Sequence, residues 1–211
     1  MTRILMIVLL LLLSITWIFS AVERRRERVW ETQLDNRSTD DNEIAFKKLR
    51  IKADSAKRFI RQKGFNESVG FMLDMSMHSG KNRFFVYDLK KDSILNAAPV
   101  THGRCNEAWL EGRRYDNTVG SGCTSLGRYK IGKPYQGRFG LAYKLHGLDQ
   151  TNSNAFKRYV VLHGHECVPA SEINEEICQS DGCPTVSPSF LQYLKPVIER
   201  SSKPVLLWIY D

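Results

Sequence analysis

Three textures of hydrophobic patterning follow one another along the chain. From Ile4 to Val22 the residues are almost unbroken Leu, Ile, Val, Met, Phe and Trp, long enough to cross a bilayer as a helix. Residues 23–41 are charged and polar, with Asn36-Arg-Ser-Thr-Asp-Asp41 as a turn-like break. After Asn42-Glu43, the apolar residues Ile44, Phe46, Leu49, Ile51, Ala53, Ala56, Phe59 and Ile60 recur up to Gly64. That spacing predicts one amphipathic helix with Gly64 as its C-cap. Beyond it, short β-branched and aromatic runs read as strands: Val69–Met75, Arg83–Leu89, Ser93–Val100, Arg128–Ile131, Leu141–Leu145 and Tyr159–His165, with Ser79-Gly-Lys-Asn82 turning between the first two. Ser187 to Glu199 carries a helical period that Pro196 is expected to kink or limit, and Pro204–Tyr210 closes the chain as a buried strand. Many strands and few helices predict a mainly β domain, a sandwich or half-barrel with helices at its margin. The chain then divides into an export signal or membrane anchor (1–22), a charged tether with the amphipathic helix (23–66), and a β domain (67–211).

Composition adds bounds. With 211 residues, 42% hydrophobic and 26% charged, the chain has material for one well-buried domain plus short appendages. The net charge of +8 does not mark a nucleic-acid binder: the basic residues are spread along the chain, with no stripe interleaved with stacking aromatics and no helix-turn-helix or zinc-finger spacing. At the amino terminus, Ile18-Phe19-Ser20-Ala21 meets a small-x-small cleavage site poorly, which favours a retained anchor through residues 4–22. Arg24, Arg25, Arg26 and Arg28 pull the other way, since positive flanks tend to stay cytoplasmic. Cysteine usage favours export, to the periplasm or cell envelope.

The cysteines are Cys105, Cys123, Cys167, Cys178 and Cys183. An odd count in an exported chain leaves at least one thiol over. Local pairing of Cys105 with Cys123 and of Cys167 with Cys178, one connectivity among several, leaves Cys183. A Gly-Cys turn can surround its sulfur with unpaired backbone N–H groups, and a nearby imidazole can hold it as a thiolate. His163, ending an apolar strand before Gly164, is the candidate imidazole; His165 is the reserve, because alternate strand positions share a face. His78, His102 and His146 sit in loop-like surroundings and read as surface or hydrogen-bonding residues. A zinc site could draw on His163, His165, Cys167, Cys178 and Cys183, but the paired ligand spacings are missing, so neither metal nor other cofactor is expected.

One arrangement combines these features: a strand ending in His163-Gly164, a loop from His165 to Gln179, then Ser180-Asp181-Gly182-Cys183. In these residues the chain resembles the YkuD-type L,D-transpeptidase catalytic domain, the cysteine enzymes that remodel bacterial peptidoglycan. Asn82–Leu89 is similar to the family's opening strand, and Thr124-Ser-Leu-Gly-Arg-Tyr-Lys-Ile131 to its Thr-Pro-x-Gly-x-Phe-x-Ile strand. The resemblance covers Val69 to Asp211. It implies a catalytic domain at 67–211, a Cys183 nucleophile, a His163 general base, and oxyanion-binding N–H groups around Gly182 and Cys183. It further implies Ser180 orienting the histidine or loop, Gly164 giving substrate close passage, and peptidoglycan stem peptides as partners. The reaction would be ping-pong acyl transfer through a thioester. Two positions depart from the commonest family form: Asp181 stands where histidine is usual, and Thr185 where asparagine or arginine is usual. The loop carrying Cys167 and Cys178 is also distinctive and is expected to wall or cover the acyl-donor groove. Alternatives are an L,D-carboxypeptidase or amidase using water as acceptor, and a non-catalytic envelope-binding domain. Asp181 and Thr185 favour the latter, whereas Gly182-Cys183 and His163 oppose it. A papain-like peptidase fits less well, since its cysteine precedes its histidine.

Overall fold

The computed structural model describes residues 23–26 and 43–211. The apolar stretch 4–22 and the break at 36–41 lie outside them; among the described residues no helix is long and apolar enough to cross a membrane. The chain separates into two units, Met1–Lys47 and Lys48–Asp211. In the first, the described residues 23–26 and 43–47 are helical. The second carries the sheet and everything that follows.

Helical residues run over 43–63 (α1). Gly64, at φ +73°, ends the helix: its N–H and that of Phe65 both return to the Ile60 carbonyl, at 3.0 and 3.1 Å, satisfying a carbonyl the last turn would leave bare. Leu49, Ala53, Ala56 and Ile60 share one stripe and are buried against Met72, Phe85, Tyr87, Leu206 and Tyr210. Ile44, Phe46 and Ile51, counted with the apolar pattern in sequence, are exposed; Ile44 and Ile51 fall on the far side of the helix at 100° per residue.

Eight strands follow: β1 Val69–Asp74, β2 Phe84–Asp88, β3 Ser93–Ala98, β4 Gly127–Gly137, β5 Gly140–Gly147, β6 Val161–Gly164, β7 Thr185–Val186 and β8 Leu206–Tyr210. They form one mixed sheet in the order β3-β2-β1-β8-β4-β5-β6-β7. The pairs β1–β8 and β6–β7 are parallel, and the remainder antiparallel. The domain is mainly β with few helices, as expected; where a sandwich or half-barrel was expected, the strands are hydrogen-bonded into one eight-stranded mixed sheet. The physical reason lies in β1, β2 and β8, whose residues are buried on both faces. Phe71, Leu73, Phe84, Val86, Leu207 and Ile209 enter a core shared with α2 (Pro188–Glu199), while Met72, Phe85, Tyr87 and Leu206 face α1. The helix covers the face that a second sheet would otherwise have to cover.

Local chemistry explains the other boundaries. Ser187 caps α2 by accepting the Phe190 N–H, with Pro188 at the first helical position, where its missing donor costs nothing. Pro196 does not end the helix, which runs three residues further to Glu199. Tyr159 is no part of β6: it sits at φ +56° and is exposed, so the strand begins two residues later. Between strands, two long irregular segments are each closed by a disulfide, Cys105–Cys123 and Cys167–Cys178, and Cys183 is free. Such closures each stabilise by about 2–4 kcal/mol.

Truncation of the buried stripe of α1 should be costly. Leu49→Ala and Ile60→Ala are each expected to destabilise by about 2–5 kcal/mol in urea unfolding, and Ile51→Ala by no more than about 0.5 kcal/mol. Equal effects at all three positions would mean that α1 does not pack by this face.

Candidate active site

The turn carrying Cys183 is set by its neighbours. Ser180 Oγ accepts the Gly182 N–H at 3.1 Å and donates to the Cys183 carbonyl at 2.7 Å, closing a compact loop on one side chain. The segment 101–104 runs alongside: Ser180 N–H donates to the His102 carbonyl (2.9 Å), Arg104 N–H to the Ser180 carbonyl (2.8 Å), and Thr101 Oγ1 to the Cys183 carbonyl (3.1 Å). Ser180 therefore orders the cysteine turn, and no hydrogen bond links it to His163 among the described residues. Gly182 has two reasons to lack a side chain. Its φ is +104°, and a Cβ there would lie 2.5 Å from the Cys123 carbonyl oxygen.

His163 is buried at the end of β6, paired with Ala142 of β5 on one side and Thr185 of β7 on the other. Its Nδ1 is 3.1 Å from the Gly164 carbonyl and its Nε2 is 3.0 Å from Thr185 Oγ1. A carbonyl can only accept, which assigns the proton to Nδ1 and the lone pair to Nε2, where the Thr185 hydroxyl donates. Phe139, at the tip of the β4–β5 hairpin, stacks on the imidazole with centroids 4.8 Å apart and meets His165 edge-on. His165 itself lies beyond β6, exposed, with Nδ1 accepting the Cys167 N–H.

The sulfur of Cys183 faces the start of β6, with Sγ 3.9 Å from the Tyr159 carbonyl. Burial pushes the thiol upward, opposed by the Val161 N–H and the charge of Arg158, while Asp181 adds to the rise. Burial pushes His163 downward, opposed by the Gly164 carbonyl and reinforced by His165. Both effects act toward the neutral forms of the thiol and the imidazole. Among the described residues, neither imidazole nitrogen is hydrogen-bonded to the sulfur.

Cys183, His163, His165, Ser180, Asp181 and Thr185 all line one cavity of about 210 Å³, walled on one side by the Cys167–Cys178 disulfide. Gly182 and Gly164 do not line it. A Cβ on Gly164 would stand 3.2 Å from Pro188 Cα and 3.4 Å from Leu191 Cδ2, so this glycine packs closely against the start of α2, and it lines a neighbouring cavity of about 290 Å³ together with Phe139, His165 and Pro188. Cys167 and Cys178, considered as zinc ligands in sequence, are consumed by their disulfide. Asp181 is exposed and paired with Arg104 at 2.8 Å.

Several site residues escaped the sequence reading. Thr101 and Arg104 come from a segment without periodicity, and Arg158 precedes a strand as an ordinary charged residue. Phe139 carried a weak signal, a bulky aromatic between Arg138 and Gly140 at a hairpin tip. His102, read as a surface or hydrogen-bonding residue, is fully buried between Arg83 (3.1 Å) and Arg113 (3.4 Å), and burial followed by these two charges pushes it down to about 3. Its sequence neighbours are polar, but its neighbours in space are not water.

The disulfide-closed loop docks on the β1–β2 connection. Ile173 N–H donates to the Gly80 carbonyl at 2.9 Å, and a Cβ on Gly80 would lie 2.3 Å from the Glu175 carbonyl oxygen. Glu176 accepts from Ser79 Oγ and from Arg113 Nη2 at 3.0 Å. Burial alone would raise this carboxyl, but the hydrogen bonds from Ser79 and Arg113 outweigh it and hold it down at about 2. Its folded value lies below the ordinary 4.5. The stability it contributes is therefore complete above pH 4.5 and lost as pH falls toward 2. Glu176→Gln should flatten this part of the acid-unfolding curve; an unchanged curve would show that the carboxylate does not anchor the loop.

A family model described as an L,D-transpeptidase catalytic domain matches residues 40–210. No curated protein matches the sequence. Among solved structures, the chain is similar to the L,D-transpeptidase of Xylanimonas cellulosilytica DSM 15894, with 12% identity and a TM-score of 0.41 over 69% of this chain and 61% of that one. It is also similar to an L,D-transpeptidase from Mycobacterium smegmatis, with 12% identity and a TM-score of 0.41 over 68% and 59%. A third is the helical cell shape determining protein of Campylobacter jejuni, with 13% identity and a TM-score of 0.42 over 77% and 55%. The chain thus spans less than two thirds of the length of each of these.

Proposed function

Because this chain belongs to the YkuD-type L,D-transpeptidase catalytic-domain family, we propose that it is a peptidoglycan L,D-transpeptidase of the cell envelope, working through Cys183 and His163. The observation that supports this most is the meeting of the single free cysteine with a strand-end imidazole in one cavity. The two disulfides suit an oxidising, extracytoplasmic compartment.

The chemistry follows from the resting hydrogen bonds. Thr185 Oγ1 has a second acceptor, the Cys183 carbonyl at 3.4 Å. Turning its hydroxyl there frees His163 Nε2 to take the thiol proton as the sulfur attacks the carbonyl of the L-centre at position three of a stem tetrapeptide. Gly182 N–H is already committed to Ser180 Oγ, so the Cys183 N–H is the donor left in the turn for the tetrahedral oxyanion. Collapse gives the thioester, and the imidazolium passes its proton to the departing D-residue amine. The amine of a second stem peptide then attacks the thioester, its proton goes to Nε2 and on to the sulfur, and the cross-link leaves with the thiol restored.

Incubation of the purified, disulfide-intact protein with disaccharide-tetrapeptide should give release of the terminal D-residue and a covalent adduct on Cys183 by mass spectrometry. Both should be absent in Cys183→Ala. Neither product, or products independent of Cys183, would end the enzymatic reading. The pH profile adds a constraint: burial places His163 below its ordinary 6.5, so the acid limb of acylation should fall below pH 6.5.

A further inference from the structure

We propose that Arg158 is a positioning cation for the nucleophile, held against the Gly182–Cys183 turn so that its charge stabilises the Cys183 thiolate. This rests on Cys183 being the nucleophile and adds a residue outside the Cys/His pair.

The placement comes first. Arg158 immediately precedes the Tyr159 carbonyl that the sulfur touches at 3.9 Å. Its Nη1 donates to the Asp116 carbonyl at 2.8 Å and its Nη2 to the Cys123 carbonyl. The same Nη2 would lie 3.1 Å from a Cβ built on Gly182, so the guanidinium is packed against the residue next to the nucleophile. The fork that holds it is rigid. Cys123 is bridged to Cys105, and Asp116 N–H bonds back to the Thr124 carbonyl.

The charge argument is independent of that placement. Both acceptors of Arg158 are neutral carbonyls, and no carboxylate pairs with it among the described residues. A half-buried guanidinium without a counter-ion is costly, and a thiolate beside it would supply one. The other charged or titratable groups facing the turn do not take this role. His163 on β6 is pushed toward its neutral form, and Asp181 in the turn is negative but exposed and tied to Arg104 of the 99–126 segment. His165 beyond β6 is engaged with the Cys167 N–H, and Tyr129 on β4 is a phenol bonded to Ser125. Arg158 is the cation that draws the Cys183 thiol down against its burial. With a neutral imidazole, the charge available to the sulfur comes from Arg158.

A role in tying loops alone predicts something different, and thiol reactivity separates the two. The rate of Cys183 alkylation by iodoacetamide is measured against pH in the disulfide-intact protein. Arg158→Gln keeps hydrogen-bonding capacity and removes the charge; its midpoint is expected to rise by about one pH unit, an approximately tenfold lower rate at neutral pH. Arg158→Lys keeps the charge while losing the fork, and its midpoint should stay within about 0.3 units of the parent's while its unfolding midpoint falls. A folded Arg158→Gln protein with an unshifted midpoint overturns the proposal. Where Arg158→Gln does not fold, Arg158→Lys decides: an unshifted midpoint supports the charge role, and a rise of about one unit overturns it. Because no stem peptide is used, loss of the transpeptidase reading would show as absent turnover in the parent protein, whatever the alkylation midpoints do.

Discussion

The geometry of the site hangs on two residues of parallel pairing, His163 with Thr185 and Gly164 with Val186. A two-residue strand at the edge of a sheet has little stability of its own. β7 persists because it is held on both sides. Thr101 N–H donates to the Thr185 carbonyl and Thr185 N–H to Thr101 Oγ1, so the 99–126 segment supplies the missing neighbour. On the far side of the turn, Ser180 repeats the arrangement with His102 and Arg104. Between these anchors lie only Asp181 to Pro184, and Cys183 has few places to go. A slip of one residue at β7 would turn Thr185 away from His163, since neighbouring strand residues point to opposite faces.

The site is thus made from irregular backbone braced by a sheet, and the irregular parts need their own closure. Cys105–Cys123 closes the segment that clamps Ser180 and Thr185, and its Cys123 carbonyl also receives Arg158 and approaches Gly182. Cys167–Cys178 closes the loop that walls the cavity. Neither segment contributes much to the apolar cores, so cross-links and polar contacts substitute for hydrophobic burial. Arg83 shows the same economy: fully buried, it donates to the Val100 and Met77 carbonyls and to His102, joining the β1–β2 connection to the segment that reaches the cysteine.

The readable parts of the sequence were those governed by short-range periodicity. The apolar runs of β1, β2 and β8, the stripe of α1 ending at Gly64, and an apolar strand delivering His163 to its end follow from local pattern; parity leaves one thiol over, and local pairing, one connectivity among several, leaves Cys183, which is free. What failed depended on partners distant in sequence. A sandwich or half-barrel was expected from many strands with few helices; the domain is mainly β, but its strands join in one mixed sheet, and α1 packs on one face of β1, β2 and β8. His102 could not be seen as buried, because Arg83 and Arg113 reach it from separate segments. The resemblance carried by His163-Gly164 and Ser180-Asp181-Gly182-Cys183 agreed with the family match over residues 40–210, which a fold argument alone would not have supplied.

Thr185 and Asp181, the two departures from the commonest family form, have different physical weight. Asp181 points outward to Arg104, and an exposed pair of this kind contributes little to position. Thr185 is buried and shares its hydroxyl between His163 Nε2 and the Cys183 carbonyl. A longer arginine or asparagine side chain would have to enter the same buried space between β6 and the Thr101 segment, where Thr185 is already bonded through both its backbone N–H and carbonyl. The short Thr185 side chain thus reaches His163 Nε2 from β7 without leaving the buried space that its own backbone bonds define.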